Sequence, residues 1–205
     1  MGIKDRIVQE ASILFFRNGV RSMTMSDIAN ELGISKRTLY EVFQDKGELL
    51  EECINANKIK ADREINDLIN RSEDIIDALM RIYEKHLSDA QGVNRTVLHD
   101  LKKYYAPIYR KIESQQQSGF YALIELLKKG IQQGLIREDT NFEVMMWLVQ
   151  AQFRALINDE DIPTDKYPVK EFIRVIILNS IRGLATSDGI KQIDHRIEKI
   201  RERQD

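Results

Sequence analysis

The feature that most restricts this chain is its shortage of chain breakers. Its 205 residues contain three prolines, Pro107, Pro163 and Pro168, and ten glycines. Proline removes a backbone donor and glycine costs entropy inside a helix, so a sequence sparing of both leaves helices room to run. Gly19, Gly33, Gly134 and Gly189 fall near expected helix ends, where glycine is favoured. Alternating strand patterns of useful length are missing. The run RVIILNSI at 174–181 is locally strand-like, but its flanks carry helical periodicity, which predicts a buried helix segment. The chain is expected to be all-α.

Helices are predicted at about 3–17, 25–32, 36–43, from 46 through the sixties, 72–89, 94–104, 105–132, 141–158, 168–186 and 189–203. Ile3, Ile7, Ala11, Leu14 and Phe15 form the apolar stripe of the first. Thr24 caps the second, with Asp27 three positions on in place of the usual capping-box glutamate. Ser35 caps the third. The fourth carries Leu49, Leu50, Cys53, Ile54, Ile65, Leu68 and Ile69 around a mostly polar middle, Asn55 to Glu64. A long helix of that kind suits a bridge between two bodies. The sequence places the domain boundary in its first turns, giving residues 1–46 and 47–205. The segment 159–167, DEDIPTDKY, reads as a loop.

Charge and cysteine content exclude several classes. The 31 basic and 33 acidic residues give a net charge of −2, which is no basic tail protein. A nucleic-acid binder stays open, because only the charge on the contact face matters. One cysteine, Cys53, excludes an internal disulfide and a cysteine-rich metal site. His86, His99 and His195 lie far apart without ligand spacing. No metal and no cofactor is expected. No apolar run approaches the roughly 20 residues a membrane span needs. The N-terminus reads as an amphipathic helix without a cleavage site, so a cytoplasmic location and no membrane partner are expected. No nucleophile triad, metal motif or glycine-rich phosphate loop is visible, and an enzyme is not expected.

The sharpest motif is TMSDIANELGISKRTLYEVF, residues 24–43. Two short helices flank a turn at Gly33. Ile28, Ala29, Leu32, Ile34, Leu39, Val42 and Phe43 face inward, and Ala29 is small enough for two helices to cross closely. This pattern is a helix-turn-helix, which presents its second helix to the DNA major groove. Lys36 and Arg37 can donate to guanine or to phosphate, Thr38 can meet a thymine methyl or a phosphate, and the Tyr40 hydroxyl can reach the backbone. Lys46 can neutralise a neighbouring phosphate. The same lysine and arginine also fit ordinary solvated charges. Residues 1–46 hold seven basic and six acidic side chains, so affinity must come from where the charges sit and from a second copy.

Over residues 3–50 the sequence resembles the TetR family of bacterial transcriptional regulators. The resemblance rests on Ala11, Leu14, Phe15, Gly19, Thr24, Ile28, Ala29, Gly33, Ser35, Thr38, Leu39, Tyr40, Phe43, Lys46, Leu49 and Leu50 in one order. Beyond residue 55 it is one of layout. It implies a three-helix DNA-binding domain joined through the fourth helix to a C-terminal helical bundle. It also implies a homodimer that represses from a palindromic double-stranded operator and leaves it when a small molecule binds. Thr24, Lys36, Arg37, Thr38, Tyr40 and Lys46 match positions that approach the operator. Arg37 stands where the family often has glycine, and Gly47 where an acidic or polar residue is frequent.

Two further sites are expected. The dimer face is placed on the helices at 141–158 and 168–186, with Val144, Leu148, Ala151, Ala155, Phe172, Val175, Ile176, Asn179 and Gly183. A pocket for a hydrophobic effector is placed among Leu79, Ile82, Tyr83, His86, Leu101, Tyr105, Phe120, Leu123, Met146, Trp147, Gln150 and Phe153. Each of these residues also fits ordinary core packing. The competing reading for the whole chain is a helical protein–protein adaptor that binds no DNA.

Overall fold

A computed structural model describes residues 2–89, 95–158, 162–164 and 166–202; within these, the side chains of residues 95, 96, 98, 115–121, 157, 158 and 201 are not described. The described residues form the helices α1 (Ile3–Asn18), α2 (Met25–Glu31), α3 (Lys36–Val42), α4 (Lys46–Asn70), α5 (Ile75–Asp89), α6 (Arg95–Tyr104), α7 (Ala106–Gln132), α8 (Phe142–Asn158), α9 (Val169–Leu184) and α10 (Ser187–Glu202). Every helix predicted from the sequence is present, with ends displaced by a few residues. The segment 174–181 lies inside α9, as its flanks required. Residues 159–161 and 165 of the loop at 159–167 lie outside the described residues.

Local chemistry explains the short helices. Thr24 Oγ1 accepts the Asp27 N–H at 3.2 Å, and the Asp27 carboxylate accepts the Thr24 N–H at 2.9 Å, a capping box with aspartate in the third position. The bonds from the Thr24 hydroxyl and N–H hold the Asp27 pKa below the usual carboxylate value. Ser35 Oγ accepts the Thr38 N–H at 3.0 Å. Asp45 Oδ1 accepts the Glu48 N–H at 2.9 Å and so opens α4. Between α2 and α3, Gly33 has φ +65°, a left-handed conformation that residues with a Cβ adopt only under strain.

The chain packs as two compact units. One comprises Met1–Ile65 with Gly92–Ser114, and the other comprises Asn66–Gln91 with Gln115–Asp205. These limits follow packing, and they differ from the division at 46/47 drawn from sequence. α4 and α7 each contribute to both units.

The first unit buries Ile7, Ala11, Phe15, Ile28, Ala29, Leu32, Leu39, Phe43, Leu49 and Leu50 in one core, joined by Val97 and Leu101 of α6. The second has its own core, with Ile76, Met80, Leu127, Ile136, Leu184 and Ile193 at its centre. Within it Asp77 is buried beside Arg81 at 2.9 Å and Arg196 at 2.6 Å. Burial raises the Asp77 pKa, but the Glu73 N–H and the two arginines outweigh it and hold the carboxyl below its ordinary value.

The second unit also pins two connections together. The Arg137 N–H donates to Leu184 O at 2.8 Å and the Thr186 N–H to Leu135 O at 3.0 Å. Gly189 sits directly against the Leu135 carbonyl, where a Cβ would overlap the backbone. The sequence marks this glycine as a helix end; the close approach is what requires it. Gly189→Ala is expected to cost about 1–3 kcal/mol through overpacking, visible as a lower urea midpoint with retained helicity.

Candidate nucleic-acid interface

α3 has seven residues, too few to hold a helix alone in water. It is held from beneath. Leu39 is fully buried, and Phe43 just beyond the helix is 1% exposed. With these two anchored in the core of the first unit, Lys36, Arg37, Tyr40 and Glu41 are left exposed on the outer side of α3. Thr38, read as outward, and Val42, read as inward, are each half-buried.

The outward side chains form two pairs one turn apart. The Lys36 ammonium lies 5.9 Å from the centre of the Tyr40 ring, within cation–π range. Arg37 Nε donates to Glu41 Oε1 at 2.9 Å. Thr38 is half-buried, and its hydroxyl lies 2.8 Å from Ser35 Oγ. Thr24 is exposed at the start of α2. Five of the six candidate DNA-binding residues thus lie on α2 or α3 or at their start.

Lys46 is different. Its ammonium donates to Val20 O at 3.0 Å and to Met23 O at 2.9 Å. It therefore braces the α1–α2 connection, with one N–H left for any phosphate. Burial pushes its pKa down, and the charge of Asp100 opposes that shift. Asp100, in α6, is itself buried and accepts the Arg21 N–H at 2.8 Å. Residues 20–23 are thus gripped from α4 and from α6. Arg6 adds a third tie, donating from Nη2 to Leu32 O at the end of α2 at 2.9 Å. Sequence reasoning missed Asp100, Arg6 and the bracing role of Lys46. Their partners lie 23 to 79 positions away, and no local pattern signals them.

These residues match a known family. Residues 7–53 match the family described as bacterial regulatory proteins, tetR family. The chain thus carries a tetR-family region at residues 7–53. Along most of its length it is 28% identical to the uncharacterized HTH-type transcriptional regulator YvaF of Bacillus subtilis, over 86% of this chain and 90% of that protein. It is 22% identical to the HTH-type transcriptional repressor KstR2 of Mycobacterium tuberculosis, over 69% of this chain and 73% of that protein. Among solved structures, a TetR-family regulator from Cytophaga hutchinsonii superposes with a TM-score of 0.71 at 16% identity, covering 91% of this chain and 98% of that one. This likeness extends the family's fold to the helices beyond residue 53. A tetR-family chain is a regulatory protein and not an enzyme.

The two C-terminal expectations fare differently. On α8, Val144, Leu148 and Ala151 are exposed, and on α9 so are Val175, Asn179 and Gly183; Ala155, Phe172 and Ile176 are half-buried. Trp147, placed in the pocket from sequence, is 60% exposed. That is a correction: its spacing from Val144 and Ala151 sets it on the same outer stripe of α8. The other pocket candidates do not form one group. Leu101 and Tyr105 pack into the core of the first unit, which removes them from a set otherwise drawn from the second. Leu79, Tyr83 and Met146 are buried in the second core, with Leu123 and Phe153 packed against it. Ile82 and Gln150 are half-buried and His86 is exposed. The Phe120 side chain lies outside the described residues. A cleft of about 660 Å³ opens on the first unit, between α1 and α4, where Val8, Ser12, Phe16, Glu52 and Lys60 are among its lining.

Asp100→Ala is expected to lower the stability of the first unit by about 1–3 kcal/mol, because it leaves the Arg21 N–H unpaired. Urea unfolding followed by circular dichroism measures this.

Proposed function

We propose that this protein is a tetR-family repressor that binds a palindromic double-stranded operator as a homodimer and releases it on binding a small hydrophobic molecule. The observation that carries the DNA-binding part is α3 itself. Its buried side is fixed by Leu39, and its exposed side offers Lys36, Arg37 and Tyr40. Such a helix can enter a major groove with its donors directed at bases and phosphates. Residues 1–46 carry the DNA contacts, and the remainder carries assembly and effector response. The printed name of the KstR2 relative, a transcriptional repressor, favours repression over activation.

A homodimer follows from the limits of one short helix. A single reading helix contacts too few base pairs for useful selectivity, and two-fold pairing doubles the contacts and fixes their spacing at about 34–36 Å. The stripe of Val144, Trp147, Leu148 and Ala151 with Val175 and Gly183 supplies the pairing surface. Exposed large apolar side chains at helical spacing, with a glycine among them, suit close contact with the same helices of a second copy. The effector site is assigned to the second unit, around Leu79, Tyr83, Met146 and Phe153. An aliphatic and aromatic lining suits an apolar ligand. The ligand acts only if it binds the operator-bound and released dimers with different affinity.

Two experiments test this reading. Gel-shift assays with DNA upstream of the chain's own coding region are expected to show a complex that Lys36→Ala combined with Arg37→Ala weakens roughly 100-fold. Binding retained by the double variant at moderate salt would remove α3 as the reading helix. Leu148→Glu is expected to shift sedimentation from dimer to monomer while helicity is retained. An unchanged dimer would move the interface off this stripe.

A further inference from the structure

We infer that Arg37 and Glu41 act as one reading unit for a G·C base pair in each half-site. The inference rests on the DNA-binding reading above and deepens it.

Both side chains are open to solvent, at 88% and 58% exposure, and they stand one helical turn apart. The ion pair engages the Arg37 Nε–H. The two terminal nitrogens remain as a parallel two-donor edge, and the carboxylate keeps acceptor capacity. Holding Nε also limits the rotamers of the long side chain, so less freedom is lost when it meets a base.

The charge of the pair decides what it faces. A lone arginine on a reading helix is drawn to phosphate as readily as to a base. Glu41 at 2.9 Å makes the pair neutral and sets a carboxylate where a phosphate would be repelled. Lys36 beside Tyr40 has no carboxylate in its pair and keeps a full positive charge for the backbone. α3 thus divides its work: Lys36 and Tyr40 serve phosphates, and Arg37 with Glu41 serves bases.

Base-edge chemistry then selects the partner. In the major groove, guanine alone sets two acceptors, O6 and N7, side by side for a two-donor edge, and its cytosine partner offers an N4–H donor next to them. Arg37 donates to the guanine acceptors, and Glu41 accepts from the cytosine amino group. Adenine puts a donor where guanine has O6, so an A·T pair meets only part of this arrangement.

The test is selection from a random duplex library with the full chain, followed by binding titrations. The wild type is expected to enrich a two-fold symmetric site with a fixed G·C pair in each half. Exchanging that pair for A·T is expected to weaken binding roughly 5- to 150-fold. Replacing the guanine by 7-deazaguanine, which lacks the N7 acceptor, is expected to weaken the wild type and leave Arg37→Ala unaffected. Glu41→Gln is expected to bind unrelated duplex more tightly and so narrow the ratio of specific to non-specific affinity. The proposal is overturned if 7-deazaguanine has no effect on the wild type. It is overturned equally if Arg37→Ala weakens all duplexes alike and lowers the salt slope by about one, the mark of a phosphate contact. An unchanged affinity ratio in Glu41→Gln removes the part assigned to Glu41. A dimer that binds no duplex at all overturns the DNA-binding reading itself, an outcome distinct from binding without a G·C preference.

Discussion

The seating of Leu39 in the core of the first unit is the contact on which the interface depends. A seven-residue helix has no independent stability, and its direction is set by whatever its buried side grips. Full burial of a leucine contributes about 1.5–3 kcal/mol. Phe43 adds a second anchor just past the helix end. Between them they leave α3 one orientation, with Lys36, Arg37, Tyr40 and Glu41 outward. The chemistry of the interface is thus a consequence of apolar packing on its opposite side.

Polar ties carry that order into the α1–α2 connection. Lys46 spends two N–H groups on the carbonyls of Val20 and Met23, and Asp100 takes the Arg21 N–H. The first unit therefore includes α6 as a structural member. An element that lies far along the chain is bonded into the core of the first unit, where Asp100 of α6 holds the segment that leads into α2.

Much of the fold was legible because its causes are local. Thr24, Ser35 and Asp45 act within three residues, and helical periodicity reports a face within a few turns. The helix-turn-helix could be read for the same reason: its capping, its turn glycine and its inward residues all lie within residues 24–43. The expected pocket residues were less legible. Apolar spacing on α8 and α6 identified a face and could not say what covers it. Trp147 turned out to face solvent, and Leu101 and Tyr105 joined the core of the first unit. A periodic stripe looks the same whether it meets a core, a ligand or a second chain.

The sequence by itself determined the all-helical class, the order of the helices and the polar face of α3. These depend on backbone propensity, capping and short-range spacing, which are written in neighbouring residues. Tertiary structure alone decided that Lys46 braces a loop, that Asp100 is buried against Arg21, that Gly189 admits the Leu135 carbonyl and that Trp147 lies outside. Each of the first three outcomes is set by an atom contributed from a distant part of the chain, whereas Trp147 stays 60% exposed with the Arg154 guanidinium 5.4 Å from its ring centre. The energy involved belongs to the contact, and it comes into being only when the chain has folded.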